Sequence, residues 1–278
     1  MDRIPFGIQR LDTIINGGAP PGSVVLLAGE PGAGAREFMH TSAAINGLAR
    51  GDSELHDLYY GDLAAGASLP DEIHYLSFTS DSDRLYGEIN QTLDDEIVAA
   101  GLEAVTFHDL SIPYFHHSRV PRDWYADEVT DIREMRASHD REGLLSRLGD
   151  LLSAHAADNL VLIDSLTDLV STVGNEFEWS DINYFVQGLQ KAAHSWSGLV
   201  LVEVNSDALT PQEYGQLVDA VSGTMEFSWE AGGSERARTL VVKQFRGVLS
   251  RIEDEDIVQF ETDIGDAGFD ISDVRKIR

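Results

Sequence analysis

An α/β architecture, a mostly parallel sheet flanked by helices with an antiparallel C-terminal extension, follows from three features of the 278-residue sequence. Short apolar runs alternate with stretches of helical spacing from Ser23 to about Glu203, the pattern of strands joined by helical crossovers. The first run ends in a glycine-rich turn that opens a helical stretch. Further on, strand-like stretches succeed one another across turn residues with no helical spacing between them, as antiparallel strands do.

Taken in order, Gly22-Ser23 leads into a strand over Val24 to Ala28, and a helix is expected from about Ala35 to Arg50. Residues 51–70 are polar and contain glycine, which predicts an inserted loop. Ile73 to Phe78 reads as a strand. Asp81 to Ala100 has helical spacing, and its acidic first turn suits the helix dipole. A short strand near Ala104–Phe107 precedes a second inserted region, about 110–139, that carries Pro113 and Pro121. An amphipathic helix is expected over Asp140 to Ala157, with Leu144, Leu145, Leu148, Leu151 and Leu152 on one face. Leu160 to Ile163 is a buried strand, Asp181 to Ser195 a helix and Leu199 to Val204 another strand. Ala220–Trp229, Thr239–Phe245 and Ile257–Glu261 are the expected antiparallel strands. One domain over 1–278 is the simplest organisation, with a core of about 4–262 and an acidic tail over 263–278.

There are 48 acidic and 20 basic side chains, a formal net charge of −28, yet 42% of residues are hydrophobic, so the acidity does not signify disorder. Only Lys191, Lys243 and Lys276 are lysines; the other basic residues are arginines. Self-repulsion on this scale opposes compaction at low salt, and molar salt relieves it, because the Debye length falls to about 3 Å at 1 M. The composition resembles that of proteins from extreme halophiles. With no cysteine, disulfides, thiolate zinc sites and thiol catalysis are excluded. No apolar run approaches a membrane span and the N-terminus does not read as a signal peptide, so a soluble, cytoplasmic protein is expected.

The segment Gly29-Glu30-Pro31-Gly32-Ala33-Gly34-Ala35-Arg36 has the glycine spacing of a phosphate-binding loop, G-x-x-x-x-G-K-[ST]. Its backbone amides can converge on an anion at a helix N-terminus. A working loop also needs a lysine for the terminal phosphates and a hydroxyl for magnesium; those places hold Ala35 and Arg36. The flanks, Phe6-Gly7-Ile8-Gln9-Arg10-Leu11-Asp12 and Gly17-Gly18-Ala19-Pro20-Pro21-Gly22-Ser23, resemble the start of KaiC-type ATPases of the RecA superfamily.

That resemblance implies a RecA-like fold and a degenerate nucleotide site. Val161-Leu162-Ile163-Asp164-Ser165-Leu166 is similar to the family's strand ending in the magnesium-site aspartate, so Asp164 is the retained acid. Thr79 and Ser80 stand where the family has the glutamate pair that activates water, and neither can accept a proton near neutral pH. Asp81 is a displaced acid whose position at a helix start suits a cap. Arg236 to Gly247 resembles the family's R-x-L-x-V-x-K-x-R-G, whose basic residues reach a neighbouring subunit's nucleotide in hexameric relatives. Arg246 is in register for that contact. Lys243 is one residue early, with Gln244 in the lysine's place.

Phosphoryl transfer rests on positioned charge, so losing the lysine, hydroxyl and glutamate pair together should leave negligible turnover. The expected function is therefore a non-catalytic pseudo-ATPase that regulates, signals or scaffolds through protein contacts, in homo- or hetero-oligomers with KaiC-like relatives. A weak ATPase with a rearranged site and a recombinase-paralogue-like nucleic-acid binder are the alternatives. No resident cofactor is expected, although the amide cradle leaves room for ATP with or without magnesium. For Arg36 two placements stay open: pairing with Asp164 where the metal would sit, or turning outward to solvent, Glu37 or Glu30. No histidine pair has the helical spacing and nearby acid of a zinc site, so no metal is expected and the histidines are assigned to solvent or loops.

Overall fold

The computed structural model describes residues 2–116, 118–126, 143–172, 178–232, 235–254 and 257–276. Among them one sheet of nine strands runs in the order β3-β2-β4-β5-β1-β6-β7-β8-β9. The strands are β1 (Ser23–Gly29), β2 (Ile73–Ser77), β3 (Val105–Asp109), β4 (Leu160–Asp164), β5 (Leu199–Asn205), β6 (Gly223–Gly232), β7 (Glu235–Phe245), β8 (Ile257–Gly265) and β9 (Gly268–Lys276). β3 through β6 in the spatial order pair in parallel, and β7, β8 and β9 continue the sheet antiparallel.

The central strands are apolar throughout because both faces are covered. Val25, Leu27, Leu162 and Leu201 point to the face packed by α2 (Ala35–Gly51) and α5 (Asp95–Gly101). Their chain neighbours Val24, Leu26, Ile163 and Val202 point to the opposite face, covered by α7 (Leu144–His155), α9 (Trp179–Trp196) and α10 (Pro211–Ala220). Shorter helices complete the chain: α1 (Gln9–Ile14), α3 (Ser53–Tyr59), α4 (Ser82–Ile89), α6 (Ser111–Phe115), α8 (Leu166–Ser171) and α11 (Leu249–Asp254). No described helix is long and apolar enough to cross a membrane.

Several expectations are corrected. Region 51–70 is not wholly a loop: Asp52 accepts from the amides of Glu54 and Leu55 at 3.1 Å and starts α3. The single helix expected over Asp81 to Ala100 is two, α4 and α5, with a turn between them. β6 lies parallel to β1, so the antiparallel extension begins at β7, and α11 interrupts it before β8. In the second inserted region, the short α6 occupies Ser111–Phe115, while residues 127–142 lie outside the described residues.

Of the expected acidic tail over 263–278, residues 263–276 are instead the end of β8, a turn and all of β9, and 277–278 lie outside the described residues. Its outward acids hide an alternation: Phe269 and Ile271 are buried and Asp270 and Ser272 exposed. Phe269 completes a group of rings, 5.3 Å from Phe38 and 5.7 Å from Phe227 in edge contact, and its amide donates to Thr41 Oγ1 at 2.8 Å.

The histidines also depart from expectation. His40, His56 and His74 are buried, and His108 lies on β3. His117 and His139 lie outside the described residues.

Candidate functional site

The glycine-rich loop joins β1 to α2 at the C-terminal ends of the parallel strands, where α/β sheets place ligand sites. Gly29 ends β1. Ala33 donates its amide to the Glu30 carbonyl at 3.0 Å, and Gly34, with φ of +113°, precedes Ala35 at the head of α2. The loop is tied to the antiparallel extension rather than left bare. Trp229 Nε1 donates to the Pro31 carbonyl and Arg238 Nε to the Gly32 carbonyl, both at 3.1 Å, while Arg238 lies 4.6 Å from the Trp229 ring. A Cβ on Gly34 would stand 3.0 Å from the Phe269 ring, so glycine is required there for space as well as for conformation.

Arg36, one residue into α2, turns inward. Its Nη2 donates to Asp164 Oδ1 at 3.1 Å, and the Glu30 carboxylate is engaged with the Trp229 amide instead. The second oxygen of Asp164 is also taken: Tyr75 Oη donates to Oδ2 at 2.9 Å in the interior. Both oxygens of Asp164 thus already have a partner, an arginine on one and a phenol on the other. Burial, followed by the Asp164 charge, pushes the Tyr75 hydroxyl well above its ordinary range, so it stays protonated and donates.

Strand parity explains the assembly. Tyr75 on β2, Asp164 on β4 and Glu203 on β5 share the face that packs on α2, because they continue the rows of Ile73, Leu162 and Leu201. Burial raises the Glu203 carboxyl to about 7; Asp164 adds to the rise and Arg36 opposes it. His40, one helical turn beyond Arg36, is buried with its ring 6.2 Å from that of Tyr75. Burial and the Arg36 charge lower its pKa to about 4, so it is neutral. The result is one positive side chain held among carboxylates, a phenol and a neutral imidazole.

The other sequence candidates fall outside this cluster. Asp81 caps α4, its Oδ1 accepting from the Arg84 amide at 2.8 Å. Thr79 and Ser80 donate their amides to Ser77 Oγ at 3.4 and 3.1 Å, which makes the segment a turn. Lys243 is held within the chain by Glu226 at 2.7 Å and by the face of Tyr214 at 4.6 Å. Gln244 donates to the Val218 carbonyl, and Arg246 is exposed beside Gly247.

Tyr75, Glu203 and His40 escape sequence reasoning. The first two sit inside strands and the third inside a helix, with no local motif around them. Only their positions relative to Asp164 and Arg36 could have pointed to them.

The donor set does not fit a magnesium–nucleotide complex. There is no hydroxyl at Arg36 and no lysine at Ala35, and a guanidinium already neutralises the acid.

No family model and no curated protein sequence matches the chain. Among solved structures, the chain is similar to the crystal structure of a KaiC-like protein from the hyperthermophilic archaeon Pyrococcus horikoshii OT3, with a TM-score of 0.60 at 16% sequence identity over 98% of this chain and 99% of the other. The fold is therefore of the KaiC-like, RecA type along nearly the whole chain.

Proposed function

We propose that this chain is a KaiC-like pseudo-ATPase that acts through contacts with other protein chains, as a homo-oligomer or in assemblies with KaiC-like relatives. The observation that carries the reading is the Arg36–Asp164 pair, which sets a guanidinium where a magnesium ion would have to be ligated. The arginine stays charged at any physiological pH, so no change of pH removes its attraction for Asp164, although half of its side chain is exposed. The degenerate loop keeps its turn because Gly32 and Gly34 still shape the helix start, and the antiparallel strands hold it. Exposed Arg246 is then free to serve a neighbour's nucleotide rather than this chain's own.

Phosphate release from ATP, measured in molar potassium chloride with magnesium, is expected to match the buffer blank. ATP with magnesium is expected to leave the melting temperature unchanged, whereas a tight ligand would raise it by mass action. Arg36→Ser, which removes the plug and restores a hydroxyl, is expected to gain a magnesium-dependent rise. Turnover by the unaltered protein that disappears in Asp164→Asn would overturn the proposal.

A weak ATPase is the second reading, favoured by Glu203: a carboxyl raised to about 7 beside Asp164 has the proton affinity of a general base. That reading requires turnover that Glu203→Gln abolishes.

A further inference from the structure

On the other side of the sheet from Tyr75, the preceding residue of β2 takes part in a second polar cluster. His74 is 2% exposed, and its Nε2 lies 3.0 Å from Glu72 Oε2. The His155 ring, in the last turn of α7, stands 4.6 Å from that of His74, centroid to centroid. One ligand atom from each of Glu72, His74 and His155 falls within 4.8 Å of the other two. Behind them His108 of β3 places its Nε2 3.0 Å from His74 Nδ1.

We infer that Glu72, His74 and His155 form a site for a divalent transition-metal ion, zinc in the first instance, with His108 as the group that orients His74. Two imidazoles and one carboxylate are the donors of open, three-residue zinc sites, whereas magnesium and calcium take oxygen ligands. Bonds of about 2.0–2.1 Å in a tetrahedral arrangement put ligand atoms roughly 3.3 Å apart, so a pair at the 4.8 Å limit must close by about 1.5 Å. The exposed Glu72 side chain and half-buried His155 have room to do so.

The supporting shell is in place. With its proton on Nδ1, His74 donates to His108 Nε2 at 3.0 Å and keeps the Nε2 lone pair for the ion. Asn159 accepts from the Glu72 amide at 2.8 Å and donates to the His155 carbonyl at 2.7 Å, so one buried side chain sets the spacing of two ligands. Among the described residues, the charged group in contact with the His74 ring is Glu72. The same geometry with a proton on Nε2 is a metal-free hydrogen-bond chain from His108 through His74 to Glu72, and experiment separates the two.

The full chain, stripped with chelator and dialysed against micromolar zinc chloride in potassium chloride, is expected to take up one zinc per chain, measured by elemental analysis. Zinc should raise the melting temperature where magnesium does not. Cobalt(II) in its place should show the visible absorption of a four-coordinate ion. His155→Ala, at a half-buried helix end, is expected to abolish the uptake with the far-ultraviolet spectrum unchanged. His108→Ala should weaken it about 10–100-fold, and His194→Ala, at an exposed position on α9, should leave it unaltered. Substoichiometric uptake by the unaltered protein, or uptake unchanged in His155→Ala and Glu72→Gln alike, would overturn the inference and leave the metal-free chain.

Discussion

Arg36 and Glu203 show how one substitution reorganises a polar pocket. An arginine where the resemblance places a hydroxyl brings a permanent charge against Asp164, and the pocket becomes a closed set of ion pair and hydrogen bonds. Glu203 pays for the arrangement. Its carboxyl binds a proton more tightly folded than unfolded, from an ordinary value of 4.5 to about 7. Above about 4.5 the unfolded chain has released that proton and the fold has not, so this group's contribution to stability falls as pH rises through about 7. Replacing it by a neutral amide removes the dependence. Glu203→Gln is expected to be more stable than the unaltered protein at pH 8 by about 3 kcal/mol and to match it near pH 4.5, read from denaturant unfolding at the two pH values. Equal pH profiles would show that Glu203 is hydrated and ordinary. Asp12, also raised to about 7 by burial, titrates in both proteins and cancels from the comparison.

The β8–β9 hairpin is the element that most changes the picture of the chain. It forms one edge of the sheet, and Arg10 Nη1 donates to the Ile271 and Ser272 carbonyls at 2.9 and 2.8 Å, tying α1 to β9. Through Phe269 it reaches the head of α2 and covers Gly34. The hairpin is thus part of the core that shapes the glycine-rich loop. Phe269→Ala is expected to cost about 3–5 kcal/mol in chemical denaturation, the range for a buried aromatic ring. Amide exchange should quicken in β9 ahead of β1 and β5. A loss below about 1 kcal/mol would mean that the hairpin only rests on the surface.

Across the molecule the governing quantity is a charge of −28 on a chain with a two-faced apolar core. The core supplies the compaction and the surface opposes it. Potassium chloride is expected to raise the melting temperature steadily between 0.1 M and about 1 M, as the Debye length shrinks from about 10 Å to about 3 Å. A curve that levels off near 0.1 M would identify an ordinary acidic protein. The same repulsion acts between copies, so any self-association through the Arg246 face should strengthen with salt.

Much of this architecture is legible in local order. Apolar runs such as Val24 to Ala28 and Leu160 to Ile163 announce buried strands, the glycines of 29–34 announce a tight strand-to-helix turn, and Asp164 stands at the end of its strand. Asp81 too could be read as a cap from its place before a helical stretch. Spacing could not say that Arg36 meets Asp164, 128 residues on, or that His74 meets His108, 34 residues on. Such meetings depend on strand order and register, which bring side chains from separate strands to one face. A local pattern carries only the alternation of faces, and the acids of β9 masked even that. Which residues are apolar, and at what period, is written along the chain; which polar groups end up sharing a pocket is settled by how the strands line up, because a buried charge must find its partner wherever packing places one.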